Sequence, residues 1–98
     1  MSYEIIYSEQ FKEKLIATRE YIAENFSQKV ANNFLDEVEA KIERLIEQPE
    51  IGMMSAKEKG VRRLLVGKYN AIFYRISGKR IEIADLFDQR QDPSKSKF

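Results

Sequence analysis

Four of the five arginines between residues 62 and 90 are candidates for shared chemistry. Arg62, Arg63 and Arg75 lie in Val61-Arg-Arg-Leu-Leu-Val-Gly-Lys-Tyr-Asn-Ala-Ile-Phe-Tyr-Arg-Ile76, and Arg90 opens the tail segment Arg90-Gln-Asp-Pro93. A guanidinium offers five donors in a planar fork that matches phosphate and carboxylate oxygens. Four of them so close together make a phosphate site or an acidic-peptide site the natural chemistry. Arg62 and Arg63 are adjacent, so in a strand they point to opposite faces. The alternative is a solvated strand surface whose charges guard an edge. Lys57 and Lys59 in the preceding segment, and Lys68 at a turn, extend the candidate binding set. Tyr69, Phe73 and Tyr74 lie among these cations. Aromatics so placed can stack bases, but Phe73 and Tyr74 fit a core role better.

The residues that are absent narrow the chemistry. The 98-residue chain has no cysteine and no histidine. Disulfides and thiolate nucleophiles are excluded, and so are the commonest zinc ligands and the commonest general base at neutral pH. Phosphate-binding glycine loops, nucleophile elbows and paired metal carboxylates are missing too, so we expect neither metal nor cofactor.

The formal net charge of +1 hides an asymmetry. Residues 1–49 carry 6 Lys/Arg against 10 Asp/Glu, and residues 50–98 carry 11 against 6. A basic half on a small domain attracts phosphates or an acidic peptide. No apolar run approaches the ~20 residues of a membrane span. The N-terminus has neither the basic nor the apolar region of a signal peptide. We expect a soluble cytoplasmic protein with no membrane partner, forming one domain over residues 1–98.

Elements must position the arginines. Ser2–Tyr7 alternates as a short strand. Ser8 is a candidate N-cap for a helix in which Phe11, Leu15, Thr18, Ile22 and Phe26 share a face. Ser27 caps a second helix, striped by Val30, Phe34, Val38, Ile42 and Leu45, which Pro49 ends. Two such helices joined by one or two residues make an antiparallel hairpin over about 9–47. Residues 50–60 lack a period and read as a loop, a length that often carries function. Val61–Val66, Tyr69–Ile76 and Ile81–Leu86 form a β meander over about 61–86, and a tail follows over 87–98. In the strand Tyr69–Ile76, Asn70, Ile72, Tyr74 and Ile76 share one face, and Ala71, Phe73 and Arg75 the other. The order β-α-α-β-β-β predicts an α+β fold. The helical hairpin covers one face of a mostly antiparallel four-stranded sheet and leaves the other face for function.

This order resembles the RelE/ParE superfamily of bacterial type II toxins. The run Arg62-x-Leu64 … Tyr69-x-x-Ile72-x-Tyr74-Arg75-Ile76, the Ile-x-Ile strand and Leu86-Phe-Asp-Gln-Arg90-Gln-Asp-Pro93 carry the resemblance, which covers nearly the whole chain. It implies a growth inhibitor from a toxin-antitoxin (plasmid stabilisation) system, held by a cognate antitoxin in a hetero-oligomer. RelE-like members cleave mRNA in the ribosome, whereas ParE-like members poison DNA gyrase without cleaving anything themselves. RNA cleavage needs a proton carrier as well as phosphate stabilisation, and arginine stays protonated. Where relatives often carry a histidine two residues before the tail arginine, this chain has Asp88. The resemblance therefore favours the gyrase-directed branch. The alternatives are an mRNA endoribonuclease using Arg62, Arg63, Arg75 and Arg90, or a non-toxic relic that acts with its antitoxin as a corepressor.

Overall fold

The computed structural model describes residues 3–98. Strand β1 spans Glu4–Tyr7; Ser2, with which the expected strand begins, lies outside the described residues. Helix α1 spans Glu9–Asn25 and helix α2 Gln28–Glu47. Strand β2 is the pair Met53–Met54, followed by β3 (Val61–Val66), β4 (Asn70–Ser77) and β5 (Arg80–Asp88). A short 3-10 turn at Pro93–Lys95 lies in the tail.

Both helix starts are the serines that the sequence indicates. The Ser8 hydroxyl accepts from the Phe11 N–H at 3.0 Å and donates to the Ala84 carbonyl at 2.7 Å. One side chain thus caps α1 and ties it to β5. The Ser27 hydroxyl accepts from the Val30 N–H at 3.1 Å and caps α2. Such caps contribute about 1 kcal/mol each.

The α+β layering is as expected, with one difference in strand number. The sheet has five strands in the order β1-β5-β4-β3-β2. The fifth is β2, within the segment read from sequence as a loop. It pairs antiparallel with β3, Met53 opposite Arg63 and Met54 opposite Arg62. A two-residue strand has no period for a sequence pattern to reveal, and it exists because β3 offers an edge. β1 pairs parallel with β5, and all other pairings are antiparallel.

The helices cover one face. Phe11, Val38, Ile42 and Leu45 pack with Val66, Ile72, Tyr74, Ile81, Ile83 and Leu86. Each fully buried aliphatic side chain here contributes about 1.5–3 kcal/mol. The helical stripes fade towards the hairpin tip, where Phe26 and Val30 are exposed. The opposite sheet face holds a second, smaller cluster of Val61, Ala71, Phe73 and Phe87, capped by Phe98. The alternation expected in β4 therefore holds, with Ile72 and Tyr74 inward and Ala71 and Phe73 outward.

Strand β5 departs from simple alternation. Phe73 pairs with Asp85 but Tyr74 pairs with Ile83, leaving Ala84 as an extra residue in a β-bulge. The bulge shifts the phase of everything after it. Ile83 and Leu86, three residues apart, both reach the inner core, and Asp85 and Phe87 join the outer side.

A basic cleft on the open sheet face

Side-chain direction in β3 follows from its partners. Arg62 pairs with Tyr74, an inner-core residue, and Arg63 pairs with Phe73, an outer one. Arg63 therefore faces the open side of the sheet. Arg62 faces the helix side, where its guanidinium donates to the Glu50 carbonyl at 3.1 Å and the Gly52 carbonyl at 2.8 Å. It fastens the chain entering β2. We expect Arg62→Ala to leave the strands intact and loosen residues 50–54. Faster amide hydrogen exchange confined to that segment and β2 is the measurement; unchanged protection there would contradict the role.

Tyr74 secures the same segment from below. It is fully buried in the inner core. Its hydroxyl donates to the Pro49 carbonyl at 2.6 Å and accepts from the Gly52 N–H at 2.9 Å. Gly52 has no room for a side chain. A Cβ there would lie 2.6 Å from the Tyr74 hydroxyl and 2.9 Å from the Arg63 carbonyl. Burial, partly offset by the bond from Gly52, pushes the Tyr74 phenol above its ordinary pKa.

The remaining candidate arginines are engaged with neighbours and do not converge. Arg63 donates to the Gln89 amide oxygen at 3.2 Å. Arg75 lies opposite Glu82 across β4 and β5, with Nε 3.3 Å from the carboxylate, in ion-pair range without hydrogen-bond alignment. Arg90 grips Asp88, the shortest contact being 2.6 Å, and stacks over the Tyr69 ring at 4.4 Å. The Arg90 hydrogen bonds hold the Asp88 carboxyl below its usual range. Exposed Tyr69 thus serves as a platform for a cation, whereas Phe73 and Tyr74 are core.

Of the lysines, Lys57 donates to the Ser96 carbonyl at 3.0 Å, and Lys59 and Lys68 are exposed. Among the described residues, no group of acidic, histidine or cysteine side chains gathers to hold a metal ion.

Arg63 and Lys57 border a cleft of about 410 Å³ on the open face, also lined by Met53, Met54, Phe73 and Phe87. The tail closes one side of it. The Ser55 hydroxyl donates to the Phe98 carbonyl, and the Phe98 ring sits 5.7 Å from the Phe73 ring. The sequence places residues 87–98 in a tail but gives no sign that Phe98 packs on the sheet. A single aromatic residue in a basic, polar tail gives no periodic signal. Only the empty apolar area around Phe73 and Phe87 explains why Phe98 packs there.

The comparisons with known proteins agree with this architecture. The chain resembles a solved chain described as the chromosomal ParDE toxin-antitoxin system from P. aeruginosa, at a TM-score of 0.76 and 16% identity, covering 88% of this chain and 95% of that one. It also resembles a chain of the E. coli DinJ-YafQ toxin-antitoxin complex, at 0.66 and 12%, covering 92% and 96%. E. coli YafQ alone gives 0.61 and 17%, covering 90% and 94%. At these identities the likeness establishes a shared fold. Comparison of the sequence with curated proteins gives no significant match. A family model described as the ParE toxin of the type II toxin-antitoxin system parDE matches residues 5–93, from β1 through the bulged β5 into the tail. With helical hairpin, meander and Arg90 tail all inside that match, the chain belongs to the ParE toxin family of type II toxin-antitoxin systems.

Proposed function

We propose that this toxin arrests growth by binding DNA gyrase, as a poison rather than a nuclease, and that a cognate antitoxin neutralises it. The chemistry available around Arg63 carries this reading. Cleaving an RNA strand requires one group to take the 2′-hydroxyl proton and another to return a proton to the leaving oxygen. The polar side chains lining the cleft with Arg63 are the Gln89 amide, the Ser55 and Ser96 hydroxyls and the Lys57 ammonium, which rests on the Ser96 carbonyl. Arg75 and Arg90 are turned to Glu82 and Asp88. This surface suits recognition of an anionic or mixed partner better than proton transfer. The match to the parDE family model supports the same branch.

The test is a pulse label during the first minutes after induction in cells lacking the antitoxin. Thymidine incorporation is expected to fall before methionine incorporation. An earlier fall in methionine incorporation would overturn the gyrase assignment and make Arg63 and Arg75 catalytic candidates on the ribosome. Normal incorporation of both, with normal growth, would favour a non-toxic corepressor.

A further inference from the structure

Readily oxidised side chains are scarce in this sequence, and two of them sit together. The chain has no cysteine, histidine or tryptophan, and its three methionines are its only sulfur. Met1 lies outside the described residues. Met53 and Met54 make up the whole of β2, the strand at the outer edge of the sheet beside β3. They are 68% and 56% exposed. In a chain without thiols, exposed thioethers are the natural target of a two-electron oxidant.

Both methionines border the cleft, but they meet different neighbours. Residues directly opposite each other in an antiparallel pair share a face, with Cβ atoms about 4.5–5.5 Å apart. Met54 is opposite Arg62, whose guanidinium already holds the Glu50 and Gly52 carbonyls. Met53 is opposite Arg63, on the face that carries Phe73 and Phe87. Arg63 donates to a neutral acceptor, the Gln89 amide oxygen at 3.2 Å. That contact occupies one of the five N–H donors of a guanidinium.

We propose that Met53 is a modification site, and that its oxidation by a peroxide is a reversible switch on the cleft. The thioether sulfur attacks hydrogen peroxide. The O–O bond breaks and an S–O bond forms. Sulfur is oxidised by two electrons, and the peroxide is reduced to water. A weak acceptor has then become a polar sulfoxide. Across the strand pair from Arg63, its oxygen takes a charge-assisted hydrogen bond from the guanidinium. A cation open to an incoming partner is thereby engaged within the chain, and the apolar floor beside Phe73 and Phe87 gains a polar group. Oxidation of Met54 has no such effect, because Arg62 faces the helix side and is committed to backbone carbonyls. Methionine sulfoxide reductases restore the thioether. The switch does not depend on which target the toxin binds.

The site and the switch are tested separately on the full chain. Hydrogen peroxide is applied to the native chain and to the chain in urea, followed by trypsin and mass spectrometry. Residues 45–57 leave as one peptide carrying both methionines. Their exposure implies native oxidation within about threefold of the rate in urea. Native protection of about tenfold or more would overturn the site. The switch is read by NMR at the Arg63 side-chain N–H signals. On oxidation these should shift, and their exchange with water should slow by about fivefold or more as the new hydrogen bond forms. Reductase treatment should return them. Met54→Leu should respond as the parent does, and Met53→Leu should not respond although Met54 is still oxidised. An unresponsive Arg63 in the fully oxidised parent would overturn the switch. So would a full response in Met53→Leu or a lost one in Met54→Leu.

Discussion

Replacing Tyr74 with alanine is expected to lower stability by about 3–5 kcal/mol, the range for deleting a large buried aromatic. For a domain of this size that corresponds to a fall of roughly 15 °C or more in Tm. Two losses add. The ring leaves a cavity between the helices and β3–β5, and the Pro49 carbonyl and Gly52 N–H lose their partner. Tyr74→Phe isolates the second loss and should cost about 1–3 kcal/mol, because the buried Gly52 N–H and the part-buried Pro49 carbonyl are left unpaired. Gly52→Ala attacks the same junction from the other side, because its Cβ would sit 2.6 Å from the phenol oxygen and 2.9 Å from a backbone carbonyl. Overpacking of this kind costs about 1–3 kcal/mol. The double variant Gly52→Ala/Tyr74→Phe should cost less than the sum, since removing the hydroxyl removes one of the clashing atoms. Thermal and urea denaturation of the four proteins measures this. A Tyr74→Phe protein as stable as the parent would mean that the hydroxyl does not hold the segment.

The same residue gives an alkaline signature. Burial raises the Tyr74 pKa in the folded state above 10.0, so the folded chain keeps a proton that the unfolded chain releases. Its contribution is complete below pH 10 and is lost as pH rises through the folded value. The stability advantage of the parent over Tyr74→Phe should therefore shrink above about pH 10.

Lys14→Met is the second large effect we expect, at about 2 kcal/mol. Asp85 is buried, with 1% of its side chain exposed, and its carboxylate lies 3.0 and 3.2 Å from the Lys14 ammonium. Its other partner is the Leu86 N–H at 2.8 Å. Removing one member of a fully buried ion pair costs about 3–5 kcal/mol because a charge is stranded. Lys14 is 40% exposed, so water can reach the pair and the cost is smaller. The Lys14 ammonium also lies 5.9 Å from the centre of the Phe87 ring, at the end of the sheet where β5 continues beyond its pairing with β1. Adding Asp85→Asn to Lys14→Met should restore part of the lost stability in urea, because the neutral amide need not be matched by a charge. A double variant no more stable than Lys14→Met alone would show that charge pairing is not what Lys14 supplies.

Where the physics is local, the sequence alone carried the argument. The helical hairpin was legible because Ser8 and Ser27 cap over three residues and because the apolar stripe from Phe34 to Leu45 repeats about every four. The meander was legible because Gly67 and Gly78, both at positive φ, sit at turns between alternating runs. The phase of β4 followed from period two alone, and the family resemblance rested on these same spacings. Tertiary pairing decided what local preference leaves degenerate. Strand alternation says that Arg62 and Arg63 face opposite ways but not which way each faces; pairing with Tyr74 and Phe73 made Arg62 a fastener and Arg63 a surface cation. The bulge at Ala84, whose carbonyl accepts from Ser8, turned Asp85 outward and Leu86 inward against the phase that Ile81 and Ile83 establish. Phe98 found its place because distant residues left an apolar floor open. Each of these outcomes depends on contacts between residues far apart in the chain, whose energies enter only once the sheet has formed.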